Sequence, residues 1–238
     1  MGKNVLIIGA SGDIGMAIAE KLVLSGYTLL LHGYQNKARL HEFRRRHDSE
    51  AVLDIIEANL AKPEGIQNFI NQLAYSVDSV IYAGGHAYYG VFQQTPDKVM
   101  DEMLSIHVKA PWLLTKHLLP YMIQKSDGNI IFITSIWGRE GASNEVVYSS
   151  VKGAQNSFVK ALAKEVGPTG ISVNGISPGF IETKMNGQLD EDEREAILDE
   201  IPLRRAGKPE EIANLVTFLL DKHSPYIHGE IINMTGGW

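Results

Sequence analysis

The segment YSSVK sets a phenol, Tyr148, four residues ahead of an ammonium, Lys152. The residues that follow, GAQNSFVKALAKEV, have the pattern of a helix, so the two side chains share one helix face. Such a pair is either an acid with the cation that tunes it or two neighbours on a solvated surface, and spacing alone does not choose. A phenol with a pKa of about 10 is a slow proton donor at neutral pH, and a nearby cation brings that pKa down. Ser135, in FITSIWG, precedes Tyr148 by thirteen residues and brings a hydroxyl able to hydrogen-bond an oxygen on which charge develops. Its alternative role is that of a strand-end serine satisfying backbone groups.

A second constellation opens the chain. NVLIIGASGDIGMAIAEKL runs strand, turn, helix, with glycines at 9, 12 and 15. A tight turn of this kind aims backbone N–H groups and the positive end of a helix at a pyrophosphate, and its glycines let the phosphate approach. Its context, at the start of an alternating strand and helix pattern, points to dinucleotide binding. An acidic residue about 20 positions past the motif would select NAD by gripping the ribose hydroxyls. The second strand end, LLLHGYQNKARL, has His32, Gly33, Tyr34, Gln35 and Asn36 there, followed by Lys37 and Arg39. With no carboxylate to repel a 2′-phosphate and two cations nearby, NADP is preferred, although both cations could instead lie exposed on the next helix.

These groups need elements to position them. Seven short apolar runs recur: NVLIIG, YTLLLHG, AVLDIIEA, DSVIYAGG, GNIIFITS, GISVNGISPG and GEIINMTGG. Runs apolar at nearly every position are strands buried on both faces, and the longer segments between them suit crossover helices. The expected architecture is α/β, a single doubly wound Rossmann-type domain over residues 1–238, with a seven-stranded, mainly parallel sheet and helices on both faces. Lys184 to Arg205, KMNGQLDEDEREAILDEIPLRR, stands outside the rhythm as an acidic helical insertion. At a carboxyl end of the sheet it could cover a substrate or be a plain surface excursion.

At 238 residues and 44% hydrophobic content the chain can bury a sizeable core. Its 22 basic and 28 acidic residues leave a net charge of −6, which argues against a general nucleic-acid or anionic-membrane partner. The absence of cysteine excludes disulfides, thiolate metal sites and cysteine nucleophiles. The eight histidines show no tight ligand spacing, so no metal is expected. No apolar run is long enough for a signal peptide or a membrane span, and a cytoplasmic location is expected.

Together these residues resemble the short-chain dehydrogenase/reductase family over essentially the whole chain. The family's TGxxxGIG is similar to IGASGDIG, its YxxxK to YSSVK, its preceding serine to Ser135, its PG loop to SPGFIET, and its ending to GEIINMTGGW. The resemblance implies that Tyr148 is the acid in ketone reduction, that Lys152 tunes it and holds the nicotinamide ribose, and that Ser135 holds the carbonyl oxygen. It implies cofactor contacts from Gly9, Ser11, Gly12, Asp13, Ile14 and Gly15, from Asn59 and Leu60, from Ala83 and Gly84, and from Pro178, Gly179, Ile181 and Thr183. Family analogy also implies a homo-oligomer, a tetramer.

Three positions depart from the family pattern. Asp13 stands where a glycine is usual, and its carboxylate should weaken phosphate binding unless it points away, for instance toward a helix N-terminus. Tyr82 replaces the asparagine of the NAG motif. His107, in LSIHVKAP, takes the place of the active-site asparagine, whose main-chain carbonyl helps hold a water that feeds protons to the lysine. A histidine there could keep that carbonyl, add a titratable ring, or fill space.

Length, LRRAGKPEEIANLVTFLL and the terminal GGW look most like 3-oxoacyl-acyl-carrier-protein reductases, so the expected substrate is a small-molecule or carrier-bound ketone reduced with NADP(H). The basic residue common before the GI.VN strand of those enzymes is missing from GPTGISVN, where Thr169 stands. SIWGREGASNEVVYSSVKG is also similar to a subgroup that reduces the 5-aminopentanone modification of elongation factor P. For such a cationic substrate Glu145 or Glu140 could supply the counter-charge, or both could be solvated loop residues. Trp137 and Met185 are further candidate substrate contacts, with Tyr88, Tyr89 and Gln188 as pocket walls. A reading of another class is a non-catalytic NADP-binding sensor or scaffold.

Overall fold

The computed structural model describes residues 3–48, 50–184, 186–187, 189–221 and 225–238. Each of the seven apolar runs contains one strand: β1 (Asn4–Ile8), β2 (Thr28–Gly33), β3 (Val52–Glu57), β4 (Ser79–Tyr82), β5 (Gly128–Ile133), β6 (Ile171–Pro178) and β7 (Ile231–Met234). They form one sheet in the order β3-β2-β1-β4-β5-β6-β7, and every pairing is parallel.

The helices fill the connections: α1 (Asp13–Leu24), α2 (Lys37–Arg46), α3 (Pro63–Gln72), α4 (Asp97–Leu104), α5 (Ala110–Lys125), the short α6 (Trp137–Glu140), α7 (Val146–Val166), α8 (Glu191–Glu200) and α9 (Pro209–Leu220). Alternation along each strand explains the unbroken apolar runs. Val5, Ile7, Leu29, Leu31, Ile131 and Ile133 enter one core with Ile18 of α1, Phe43 of α2 and Val216 of α9. Leu6, Ile8, Leu30, Ile130 and Phe132 enter the other with Phe69 of α3, Leu114 of α5 and Val159 of α7. In the inner strands β1, β2, β4, β5 and β6 a residue on either face is thus mostly dry, and truncating Leu6 or Phe132 to alanine should cost roughly 2–5 kcal/mol.

From β1 the chain builds outward to β2 and β3, and from β4 it builds the other way. β1 and β4 are nevertheless neighbours, so a crevice opens at their carboxyl ends, where such sheets bind ligands. One helix connection is irregular at that level. Between α4 and α5, Ser105–Lys109 forms a π-helical turn in which the Ala110 N–H reaches back to the Ser105 carbonyl. Pro111 has no N–H to return to the carbonyl four residues earlier, that of His107, and the freed carbonyl accepts from Gln155 Nε2 of α7 at 2.8 Å.

Within 184–205, α8 starts from a capping box between Asp190 and Glu193. Its Ile197 and Leu198 pack with Phe180, just past β6, and with Trp238. The helix occupies Glu191–Glu200 of this stretch and packs near the carboxyl end of β6.

Candidate active site

The phosphate turn is built on close backbone approach. Gly9 has φ +80°, and a Cβ there would lie 2.2 Å from the Gly84 Cα, so the ends of β1 and β4 touch at Gly9 and Gly84. The Ala83 N–H donates to the Ile8 carbonyl at 2.9 Å in the same place. At Gly15 a Cβ would meet the Gly9 carbonyl oxygen at 2.3 Å. Gly12 differs: its φ is −72°, and a Cβ would meet only the Gly9 oxygen, at 3.4 Å. Neither conformation nor internal packing demands glycine there, so the missing side chain leaves room in front of the turn. α1 begins at this point without a side-chain cap, so its first amides, from Asp13 and Ile14 on, are open to an anion. A turn without a side chain at Gly12, before an uncapped helix start, suits a dinucleotide pyrophosphate.

His32 joins β2 to this turn. Its Nδ1 accepts from the Gly9 N–H at 3.2 Å, which makes Nε2 the protonated nitrogen, donating to the Ala58 carbonyl at 3.0 Å. Burial pushes its pKa down to about 4, against the pull of the Ala58 carbonyl. The histidine at the end of β2 is thus a neutral clamp in the fold rather than a ligand.

The two cations of the β2–α2 segment separate. Lys37 pairs with Glu57 at 2.8 Å, whereas Arg39 Nη1 donates to the Ser11 carbonyl at 3.2 Å and to Asp13 Oδ1 at 2.7 Å. Asp13 Oδ2 accepts the backbone N–H of Lys184 at 2.8 Å. Burial works to raise the Asp13 pKa, but these hydrogen bonds and the two cations leave it below the ordinary value. The carboxylate turns to Arg39 in the first turn of α2 and to the Lys184 N–H after β6.

Beside this lies a groove of about 480 Å³ lined by Tyr34, Lys37, Glu57, Ala58, Asn59 and Gly65. Asn59 borders it, with its Oδ1 engaged by the Ala61 N–H. Leu60 does not: its side chain is buried in the core beneath. Ile181 is likewise a core residue, packed with the α9 cluster, so only its main chain is available to a ligand. Pro178 and Gly179 sit where β6 leaves the sheet, with the Gly179 N–H on the Met234 carbonyl, and Thr183 is partly exposed next to Lys184. Tyr82 turns into the core, bonded to Thr115 Oγ1 at 2.8 Å and stacked on Phe132.

Ser135, Tyr148 and Lys152 come together at the carboxyl end of β5. Ser135 follows β5 directly, and Tyr148, Lys152 and Gln155 share one face of α7. Lys152 Nζ lies 5.6 Å from the centre of the Tyr148 ring and donates to the Ile133 carbonyl at 2.9 Å. Burial pushes the Tyr148 phenol up to about 12; the Ser135 hydroxyl, hydrogen-bonded to it, works the other way, and the Glu145 carboxylate adds to the rise. Burial drives Lys152 down to about 7. The sequence reading expects the lysine to lower the phenol's pKa. In the protein alone both neutral forms are favoured instead, because enclosure penalises phenolate and ammonium alike.

His107 sits beside them, 1% exposed. Its ring stands edge-on to Tyr148 with centroids 5.8 Å apart, and Nε2 bonds the His86 carbonyl at 3.0 Å. Nδ1 is buried without a partner among the described residues. Burial holds its pKa well below the ordinary value, and the Lys152 ammonium pushes the same way. Room for the ring comes from Gly85, φ +142°, where a Cβ would lie 2.1 Å from His107 Cε1.

Beside Ser135, Trp137 opens α6 with its backbone N–H on Ser135 Oγ at 3.2 Å, and its indole packs edge-on against Trp238 at 5.0 Å. Trp238 and His86 were not among the sequence candidates. Only the terminal GGW hinted at the first, and nothing local marks a carbonyl such as that of His86. The two glutamates are unlike each other. Glu140 is exposed and paired with Arg139, whereas Glu145, at the start of α7, is partly buried, and burial raises its pKa. Met185 and Gln188 lie outside the described residues. Tyr89 is exposed and is tied to the loop before α7 by Asn144, whose Nδ2 donates to Tyr89 Oη at 3.0 Å.

A family model described as enoyl-(acyl carrier protein) reductase matches residues 9–238. The uncharacterized oxidoreductase YmfI of Bacillus subtilis is 40% identical over 240 residues, covering 100% of this chain and 99% of that protein. The 3-oxoacyl-[acyl-carrier-protein] reductase FabG of Aquifex aeolicus is 35% identical over 99% of this chain and 97% of its own. Among solved structures, a putative NAD(P) dependent gluconate 5-dehydrogenase from Beutenbergia cavernae, with bound NADP, superposes with a TM-score of 0.92 at 26% identity, covering 100% of this chain and 96% of its own. With the matching sheet order, the phosphate turn and the Ser135, Tyr148 and Lys152 cluster, this chain belongs to the short-chain dehydrogenase/reductase family of oxidoreductases.

Proposed function

We propose that the protein is an NADPH-dependent carbonyl reductase of the 3-oxoacyl-acyl-carrier-protein reductase kind, turning a ketone into a secondary alcohol. The observation that carries this is the convergence of Ser135, Tyr148 and Lys152 beside the glycine cradle. The reduced nicotinamide, when bound, supplies the hydride. Gly12 and the first amides of α1 hold the pyrophosphate, and Arg39, with no carboxylate at the end of β2, favours a 2′-phosphate. Bound NADP in a structural relative and the name of the FabG relative support the same reading.

Ser135 hydrogen-bonds the ketone oxygen, and Tyr148 gives its proton to that oxygen as charge builds there. Lys152, as ammonium, stabilises the phenolate left behind. The His107 ring stands beside this pair, and its Nδ1, without a partner among the described residues, offers an acceptor next to Lys152 and Tyr148. Exposed Trp112, Leu113, Tyr121 and Ile123 on α5 support self-association of copies of the chain.

The test is NADPH and NADH oxidation with a panel of β-ketoesters and β-ketothioesters, beside Tyr148→Phe. Tyr148→Phe should lose at least about 100-fold in turnover while keeping its affinity for the cofactor. Tight cofactor binding with no turnover of any ketone would instead support a sensor or scaffold.

Glu145 favours a second reading, reduction of an amine-bearing ketone such as the 5-aminopentanone group on elongation factor P. The carboxylate is partly buried three positions before Tyr148 and electrostatically coupled to it. Glu145→Gln should raise KM for an aminoketone far more than for a neutral ketone, with Glu140→Gln silent; equal effects on both substrates would rule this out.

A further inference from the structure

Asp13 is the residue that most sharply departs from the family pattern at the cradle, and its side chain touches two other segments at once. One carboxylate oxygen takes Arg39 Nη1 at 2.7 Å, and the other takes the Lys184 N–H at 2.8 Å. Arg39 uses the same Nη1 on the Ser11 carbonyl of the turn, so Nε and Nη2 have no partner among these contacts. The Arg39 side chain is 38% exposed and that of Asp13 only 19%. One guanidinium nitrogen is therefore held by Asp13 and the turn while more than a third of the side chain stays exposed, at the rim where a Rossmann-type site receives the adenosine ribose. Lys37, the other candidate cation, is taken by Glu57.

Resting on the NADPH reading, we propose that Asp13 is a positioning residue with two tasks. It orients Arg39 so that the free guanidinium nitrogens meet the 2′-phosphate, and it fastens the segment after β6 to the same turn through Lys184. The adenosine end of the cofactor site and the segment leading to α8 are thereby joined through one side chain.

Two simpler accounts of Asp13 make different predictions. As an anion near a phosphate site it would weaken NADPH binding, so its removal would tighten it. As an acidic residue in the first turn of α1 it would stabilise the helix alone, so its removal would leave cofactor preference unchanged.

The experiment measures NADPH and NADH dissociation constants by nucleotide fluorescence for the full chain, for the isosteric Asp13→Asn, for Arg39→Leu and for the double variant. Asp13→Asn should weaken NADPH binding about tenfold, the scale of one charge-assisted hydrogen bond, and leave NADH within about twofold. Arg39→Leu should lose at least as much, and adding Asp13→Asn to it should cost nothing further. Amide exchange at Lys184 should be faster in Asp13→Asn than in the parent. NADPH binding to Asp13→Asn that is unchanged or tighter, or an equal loss for both nucleotides, overturns the proposal. A parent chain that binds both nucleotides alike refutes the NADPH reading and the proposal with it. A parent that prefers NADPH beside a silent Asp13→Asn refutes the proposal alone.

Discussion

Gly85→Ala probes the fit between the β4 loop and the His107 ring. The glycine has φ +142°, which an L side chain adopts only under strain of about 1–3 kcal/mol. The new methyl would lie 2.1 Å from Cε1 and 2.8 Å from each ring nitrogen. The ring has little room to yield, being held by the His86 carbonyl and set edge-on to Tyr148. Overpacking of this kind adds about 1–3 kcal/mol, so the total is about 2–6 kcal/mol, or a Tm lower by roughly 5–20 °C. The assay is urea and thermal unfolding of Gly85→Ala, His107→Ala and the double variant. Removing the ring should recover the overpacking share but not the backbone share, leaving a favourable coupling of about 1–3 kcal/mol between the two sites. Additive losses, within about 0.5 kcal/mol, would refute the claim that Gly85 is glycine to admit the imidazole.

Two further outcomes concern buried titratable groups. The folded pKa of Lys152, about 7, lies below the ordinary lysine value of 10.5, so burying this amine costs most below pH 7 and the cost fades as pH rises toward 10.5. Lys152→Met should accordingly raise Tm more at pH 6 than at pH 10 while abolishing turnover; a thermal-shift gap that does not change with pH would contradict this. His32 has a folded pKa of about 4 against an ordinary histidine value of 6.5, so the stability it contributes is complete above pH 6.5 and is lost as pH falls toward 4, a total of about 3 kcal/mol. His32→Leu should flatten the fall in unfolding free energy over that window by about one proton, measured by urea titration at stepped pH; an unaltered slope would show that the imidazole is not the group protonated.

The strands were legible because their signal is local. A residue such as Leu30 or Ile131 sits in a run apolar on both alternations, and that pattern has one economical explanation, a strand dry on both faces. The glycine turn and the Ser135, Tyr148 and Lys152 spacing were legible for a similar reason, since chemistry constrains residue type and separation along a single chain. What a side chain meets across the fold is a different matter. Nothing local says that Asp13 turns to Arg39 and Lys184, that Glu145 is partly buried while Glu140 is paired at the surface, or that Leu60 and Ile181 belong to the core.

Protonation depends even more on the surroundings. From the sequence, an ammonium near a phenol implies a lowered phenol pKa, but desolvation scales with enclosure, and only the packing of α7 against the end of β5 and the π-turn reveals that burial dominates at both groups. The His107 carbonyl joins the two levels. Pro111, four residues on, is visible in the sequence as a missing donor, yet the partner that takes the freed oxygen is Gln155, 48 residues away and brought there by the tertiary fold.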